Sequence, residues 1–258
     1  MLFTFGSNSE STRVPVFAFH IHHHKSNTHI LFDLGLMKTL TAYPPTLLAL
    51  FPTIFHPEID LDAADVLREK GGIPPESISH IVLSHPHFDH CGDPARFPNA
   101  EVVIGHGTLA FARPAFPINP ASRFLESTFP SGRTRELSPA DYNTSLGPFP
   151  RAHDFFGDGS VLLLDAPGHM PGHMMALCRT ARGLVLLAGD AGHHLCHLTE
   201  FGEGGRMSYY MHKCEDEARE TLGGIRELID RWGVRVCLAH AGSFEDWEVV
   251  EGGGETGV

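Results

Sequence analysis

A short apolar strand, Ile81-Val82-Leu83, runs directly into Ser84-His85-Pro86-His87-Phe88-Asp89-His90. Three imidazoles and one carboxylate thus fall within six residues at the end of a segment that reads as buried strand. Zinc takes N, O and S ligands at about 2.0–2.3 Å, and a loop leaving a rigid strand can turn several such ligands towards one point. The H-x-H-x-D-H spacing is specific, because each of its fixed positions is matched by chance only a few per cent of the time. Read blandly, the run is a polar surface turn that happens to be rich in histidine.

Composition favours the metal reading. The 258 residues include 19 His beside 27 Gly and 19 Pro, and that histidine content, roughly three times common usage, is a prompt to look for ligands. Lys and Arg number 19 against 31 Asp and Glu, a formal charge of −12. An acidic balance argues against nucleic acid or an anionic membrane as partner, since both need clustered basic residues. With 42% apolar and 19% charged residues, the chain reads as an ordinary globular enzyme that can bury a sizeable core. The five cysteines, Cys91, Cys178, Cys196, Cys214 and Cys237, form no CxxC pair; reduced thiols acting as small core residues are the better expectation than a disulfide framework. No basic segment followed by an apolar one opens the chain, and the most apolar stretch, Leu47 to Phe55, is short and broken by Pro52. A cytoplasmic location without a membrane span is expected.

Along the chain, β-rich runs are predicted over Val14–His22 and Thr28–Phe32, with a Pro-rich apolar stretch from Tyr43 to Pro57. A helix over Asp60–Lys70 has Asp60 as a plausible N-cap, Leu61, Ala64 and Leu67 at helical spacing, and Gly71-Gly72 as its stop. Short strands are read at Ile81–Leu83, Val102–Ile104, Val161–Leu164, Met174–Cys178, Leu184–Leu187 and Val234–Leu238, and a long amphipathic helix at Glu215–Trp232. Strands outnumber helices, and amphipathic helices must cover sheet, so a layered α/β domain with helices outside is expected. Residues 112–150 look irregular and too long for a simple connection, as for a lid or pocket insert, and 251–258 look like a flexible tail of one domain spanning 1–258.

The H-x-H-x-D-H run resembles the metal-binding signature of the metallo-β-lactamase-fold hydrolases. Further features stand in that family's order: Ile30-Leu31-Phe32-Asp33-Leu34-Gly35, then Pro167-Gly168-His169, Leu187-Ala188-Gly189-Asp190 and Leu238-Ala239-His240. The phrase Asp165-Ala166-Pro167-Gly168-His169-Met170-Pro171-Gly172-His173 is most similar to lactonase-type members and their fungal relatives. The resemblance implies an α/β fold, a four-layer αβ/βα sandwich, with a dinuclear metal site at one edge. It implies that His85, His87 and His169 hold one metal, that Asp89, His90 and His240 hold the second, and that Asp190 bridges them. Two ions about 3.5–4 Å apart need such a shared oxygen ligand. The implied cofactors are two divalent ions, zinc first, with manganese, iron or cobalt as substitutes. His173 also follows Pro-Gly, but His169 stands at the family's ligand position. Asp33 is read either as the acceptor that orients a ligand histidine or as an ordinary strand-end turn residue.

The remaining histidines divide by position. His20, His22, His23, His24 and His29 look like a metal tract, yet strand alternation puts some of them on a solvent face, and no catalytic role is expected. His193 follows the bridging Asp by three residues, where lactonase-type relatives often carry a Tyr that hydrogen-bonds the substrate carbonyl. His193 could donate instead, or the role passes to Tyr209 or Tyr210. The implied function is a metal-dependent hydrolase in which a hydroxide held by both metals opens an ester or lactone carbonyl, with Asp190, Asp89 and His193 as the catalytic set. A lactonase acting on a neutral, partly apolar small molecule comes first, since Phe111, Phe116, Phe124 and Phe129 with Leu47–Phe55 could form an apolar approach. The same residues could equally be lid core or a homodimer contact. A thioesterase on acyl-carrier or CoA thioesters is the alternative. A non-catalytic metal-binding protein of the same fold is the alternative from another class.

Overall fold

The computed structural model describes residues 2–5, 12–194, 196–199 and 211–241. The strands are β1 (Leu2–Phe5), β2 (Thr12–Pro15), β3 (Phe19–His23), β4 (Thr28–Phe32), β5 (Phe55–Glu58), β6 (Ile78–Val82) and β7 (Glu101–Ile104), followed by β8 (Thr134–Glu136), β9 (Thr144–Leu146), β10 (Phe149–Asp154), β11 (Val161–Asp165), β12 (Met174–Thr180), β13 (Gly183–Leu187) and β14 (Arg235–Cys237). The helices are α1 (Pro45–Leu48), α2 (Ala63–Glu69), α3 (Phe88–Cys91), α4 (Thr108–Ala112), α5 (Cys196–Thr199) and α6 (Glu215–Trp232). Five strands in the order β3-β4-β6-β7-β8 form one sheet and six in the order β14-β13-β12-β11-β10-β9 form another, with β2-β1-β5 as a smaller third.

Successive side chains on a strand point to opposite faces, and here both faces of both large sheets are apolar. On β11, Val161 and Leu163 join Phe32, Val82 and Val103 of the five-stranded sheet in a core between the sheets, while Leu164 faces the other way. On β12, Met174, Ala176 and Cys178 point into that central core and Met175 and Leu177 point outward. The outward set packs against Leu222, Ile225 and Leu228 of α6. Leu31, Ile81, Val102 and Ile104 pack in the same manner against Ala63, Ala64 and Leu67 of α2. The layers are therefore helix, sheet, sheet, helix, as expected of a chain whose strands are apolar runs and whose helices are striped.

Where observed elements differ from those predicted, the causes are local. The run predicted as one strand over Val14–His22 is two, and they serve different sheets. Pro15 has no N–H to continue a ladder, and the chain leaves the small sheet there before β3 begins. The helix predicted from Asp60 starts instead after Asp62, whose carboxylate accepts from the Asp65 N–H at 2.9 Å. Both aspartates suit an N-cap, and only the one whose carboxylate reaches that N–H caps. α6 runs over Glu215–Trp232 as predicted. Residues 112–150 are less irregular than their composition suggests, since they hold β8, β9 and the start of β10. Phe129, read either at an apolar approach or as lid core or a dimer contact, is 2% exposed and lies in the core beneath the five-stranded sheet with Ile81 and Val102. Cys91, Cys178 and Cys237 are free, buried thiols and Cys214 is half-buried. Among the described residues no helix is long and apolar enough to cross a membrane. The stretch 251–258 lies outside the described residues.

The two sheets meet closely at the end that carries the histidines. A Cβ on Gly105, one residue after β7, would fall 2.2 Å from the Gly172 carbonyl oxygen and 2.7 Å from Met174 Cγ. Neither the backbone carbonyl nor the core methionine can yield cheaply. Gly105→Ala is expected to cost about 1–3 kcal/mol by overpacking and to push the 166–173 loop off the first sheet. Gly223→Ala is the contrast, because that α6 position has open space around it; it should be stabilising by up to about 1 kcal/mol through helix propensity. Thermal unfolding of both variants checks the pair, and equal effects would show that the contact between the sheets is not tight.

Candidate metal centre

The candidate ligands all emerge where strands end. Past β6 the chain turns through Ser84, His85 and His87 into α3, a single turn that presents Asp89 and His90. The loop from β11 to β12 brings His169, the end of β13 brings Asp190, and the end of β14 brings His240. Gly189 (φ +52°) makes the last approach feasible, as a Cβ there would meet Ser84 Cβ at 2.8 Å and His173 Nε2 at 2.9 Å.

Two groups result: His85, His87, His169 and Asp190, and beside them Asp89, His90 and His240, with donor atoms within 4.8 Å of one another in each. In the first, His87 Nδ1 lies 2.9 Å from His85 Nε2 and 3.1 Å from His169 Nε2. In the second, His240 Nε2 lies 3.2 Å from Asp89 Oδ2 and 3.3 Å from His90 Nε2. Asp190 stands between them. Its Oδ2 is 3.6 Å from His85 Nε2 and 3.5 Å from His169 Nε2, and its Oδ1 is 3.3 Å from His90 Nε2 and 3.2 Å from His240 Nε2. One carboxylate thus offers one oxygen to each group. Four donors at about 2.1 Å around a tetrahedral ion stand about 3.4 Å apart, so these spacings suit a cation at the centre of each group. Asp190 Oδ1 is buried and makes no aligned hydrogen bond among the described residues, which in a native site calls for a further partner.

The rear of the site fixes which ring nitrogens face inward. Asp33 Oδ1 accepts from the Ser84 N–H at 2.7 Å, and its Oδ2 accepts from the Ser84 hydroxyl at 2.8 Å. The same Oδ2 lies 2.8 Å from His90 Nδ1. Ser84 Oγ, its own proton given to Asp33, accepts from His85 Nδ1 at 2.9 Å. His240 Nδ1 is held in turn by the Pro15 carbonyl at 2.9 Å. Each of these three imidazoles therefore spends its Nδ1–H on a fixed acceptor and turns the Nε2 lone pair into the site. Of the two readings of Asp33, the orienting contact is the one observed.

His169 joins the first group, and His173 takes another place. His173 Nε2 accepts from the Asp190 N–H at 3.1 Å and its Nδ1 donates to the Ala166 carbonyl at 2.9 Å. His193 Nε2 comes within 3.3 Å of Asp190 Oδ2. Tyr209 and Tyr210 lie outside the described residues. His20, His22 and His29 gather on the β3–β4 hairpin, with His20 Nε2 2.8 Å from His29 Nδ1. His212 is the residue that sequence reading missed. Its ring centroid lies 5.4 Å from that of His169 and 5.1 Å from that of His193, and no motif marks it.

The electrostatics separate the two groups. Burial, aided by neighbouring imidazoles, holds His85 and His169 well below the usual histidine range and His87 down to about 4. For His90 and His240 burial acts downward too, but Asp190 and Asp89 outweigh it; His90 is raised well above its usual value and His240 to about 10. Burial would raise the Asp190 carboxyl, yet His240, His90 and His193 hold it well below its ordinary value. One group thus offers neutral lone pairs and the other demands positive charge. Five imidazoles and two carboxylates of this kind fit a pair of divalent cations.

A pH dependence follows for chelator-treated protein. His87 and His173 are held down to about 4 in the fold, against about 6.5 in an unfolded chain. The unfolded state therefore binds more protons between those values, and stability should fall as pH drops from about 6.5 to about 4. Calorimetry across that range checks this; a Tm unchanged from pH 7 to 4.5 would contradict it.

Residues 57–216 match the metallo-beta-lactamase superfamily. The metallo-hydrolase mfmC of Annulohypoxylon moriforme is 35% identical over 187 residues, 70% of this chain and 48% of its own length. The gamma-lactamase FDB1 of Fusarium pseudograminearum is 35% identical over 201 residues, 73% of this chain and 48% of its own. The chain thus spans about half the length of these two fungal relatives. A solved N-acyl homoserine lactone hydrolase, with its product N-hexanoyl-L-homoserine at the catalytic metal centre, shares the fold with a TM-score of 0.69 at 17% identity, covering 93% of this chain and 90% of that one. Sequence match, four-layer architecture and the clustered His and Asp donors agree: the chain belongs to the metallo-beta-lactamase superfamily.

Proposed function

We propose that this chain is a metal-dependent hydrolase that opens a cyclic acyl compound, a lactone first, at a centre of two divalent ions. The observation that carries the reading is Asp190, one carboxylate oxygen on each donor group. His85, His87 and His169 would hold one ion, Asp89, His90 and His240 the other, and Asp190 would touch both. Such ions, zinc foremost, supply a nucleophilic hydroxide at neutral pH and polarise a carbonyl.

The chain's own residues do the rest. His193, whose Nε2 reaches within 3.3 Å of Asp190 Oδ2, can turn an N–H towards the carbonyl oxygen as it gains charge. Asp89 and Asp190, the buried carboxylates of the site, can hold the proton released on attack and return it to the leaving oxygen. Phe124 lies parallel to His87 at 6.2 Å between centroids and edge-on to Phe111 at 5.7 Å. Together they give the substrate an apolar wall, so a neutral, partly apolar small molecule suits the site. A γ-lactam is the second reading. It draws on the likeness to FDB1, as the lactone draws on the acyl homoserine lactone hydrolase; the two differ in whether oxygen or nitrogen leaves. A cytoplasmic setting and the absence of a nucleic-acid partner belong to the same proposal.

Proton release by pH-stat from acyl lactones of rising chain length, with a γ-lactam and an acyl-CoA thioester alongside, tests the reading on zinc-loaded protein. Lactone turnover that a chelator abolishes is expected; turnover of the thioester alone would move the assignment to a thioesterase, and none at all from protein holding two zinc ions would overturn the hydrolase. Asp190→Asn should lower kcat/KM by at least about a hundredfold while the protein stays folded by circular dichroism. Turnover that survived this change would remove Asp190 from its assigned place.

Asp33→Asn is a gentler variant. Asp33 has φ +57°, a conformation that Asn also adopts readily, so the fold should tolerate the change. The neutral amide no longer draws the protons of Ser84 and His90 in the same way, and zinc affinity should weaken about 10–100-fold. Competition with a chromophoric chelator measures this, and an unchanged affinity would contradict the orienting role.

A further inference from the structure

His193 and His212 come from separate parts of the chain, one just beyond β13 and the other just before α6. His212 is held there by the backbone: the Lys213 N–H donates to the His169 carbonyl at 3.0 Å, and the Cys214 N–H donates to the Gly168 carbonyl at 3.0 Å. The two rings lie 5.1 Å apart between centroids, and each flanks His169, at 5.3 Å for His193 and 5.4 Å for His212. All four of their ring nitrogens are buried, and among the described residues none makes an aligned hydrogen bond; His193 Nε2 has Asp190 Oδ2 beside it at 3.3 Å. Buried polar atoms are ordinarily satisfied, and a neutral imidazole carries one donor and one acceptor. The candidate ligands His85, His90 and His240 all have a fixed acceptor behind Nδ1; among the described residues neither His193 Nδ1 nor either ring nitrogen of His212 has one, and both rings lie beside His169.

We propose that His193 and His212 form a paired-imidazole subsite that binds the two oxygens of the substrate's acyl group, and afterwards the carboxylate of the opened product. The inference rests on the hydrolase reading and adds His212 to it as a specificity-determining contact. Two N–H donors from different elements match the two oxygens of an ester or carboxylate, one donor to each. The ring oxygen of a lactone satisfies such a pair, whereas the ring N–H of a lactam is itself a donor and opposes one of them. With both imidazoles donating, the subsite favours cyclic esters over cyclic amides, whose N–H needs the acceptor nitrogen of one ring instead. Lys213, next to His212 in the chain, sets its Nζ over the Phe111 ring at 5.7 Å, which brings the apolar wall next to this polar pocket. An amphipathic substrate would lie with its acyl oxygens on the imidazoles and its carbon chain on Phe111 and Phe124.

The test uses zinc-loaded protein and 4-hydroxydecanoate, the hydroxy acid that hydrolysis of a ten-carbon γ-lactone releases. Calorimetric titration should show His212→Ala weakening this probe by about tenfold, the loss of one hydrogen bond to an anionic oxygen. His212→Gln, which keeps an N–H donor, should recover part of that loss. Zinc content should remain at the wild-type level in both, and the 15N signals of the two imidazoles in the wild-type protein should move when the probe is added. A wild-type protein that binds the probe while His212→Ala binds it equally well overturns the subsite and leaves the hydrolase reading standing. Zinc lost from His212→Ala overturns it too, because His212 then supports the metal centre. A zinc-loaded wild type that neither binds the probe nor hydrolyses any lactone overturns the lactone reading itself.

Discussion

The Asp190 carboxylate is buried between five imidazoles, and the architecture of this end of the molecule follows from keeping it charged. A lone carboxylate in such a place would take up a proton, because burial disfavours the ionised form. Here the histidines on either side reverse that tendency, and the price is that at least some of them must carry positive charge. His90 and His240 do so readily, whereas His85, His87 and His169 are kept neutral by burial and by one another. The asymmetry makes the cluster a poor structural ion pair and a good receptor for cations. Divalent ions satisfy the neutral nitrogens and the anionic oxygens together, which protons cannot.

Holding those side chains in place is the task of the layers. Strands from both large sheets end at the same edge, so a loop from one sheet can touch a strand end of the other. Gly105 against Gly172 and Gly189 against Ser84 are two places where that contact excludes any side chain. Behind the cluster, the chain of His85, Ser84 and Asp33, together with the direct contact of Asp33 to His90, ties the rings to the first sheet. His173 ties the Asp190 backbone to the loop that carries His169. A candidate ligand on one sheet therefore cannot move without straining a partner on the other.

Much of this was legible in the residues. The long helix over Glu215–Trp232 announces itself by an apolar stripe that only one helical phase can satisfy, and the H-x-H-x-D-H run by a ligand density that a surface turn rarely carries. The errors arose where two local solutions have similar energy. Asp60 and Asp62 are both fit to cap a helix, and nothing nearby chooses between them. Val14–His22 is β-rich throughout, and only the packing of two sheets shows that the chain changes partner after Pro15. For Phe129 the sequence left an apolar approach and a core place equally open, and the core beneath the first sheet claims it.

By itself the sequence determined the H-x-H-x-D-H run and the layered fold, because ligand type and hydrophobic period are local properties, and its resemblance to a family added His169, Asp190 and His240 in their order along the chain. Only tertiary structure brings these candidate ligands together. It gave Asp190 one oxygen for each group, separated the equivalent-looking His169 and His173, and joined Asp33 to His90. It also brought His212, which no pattern marks, beside His169 and His193. Each of these outcomes depends on distances between strand ends remote in sequence, and those distances are set by the packing of the two sheets.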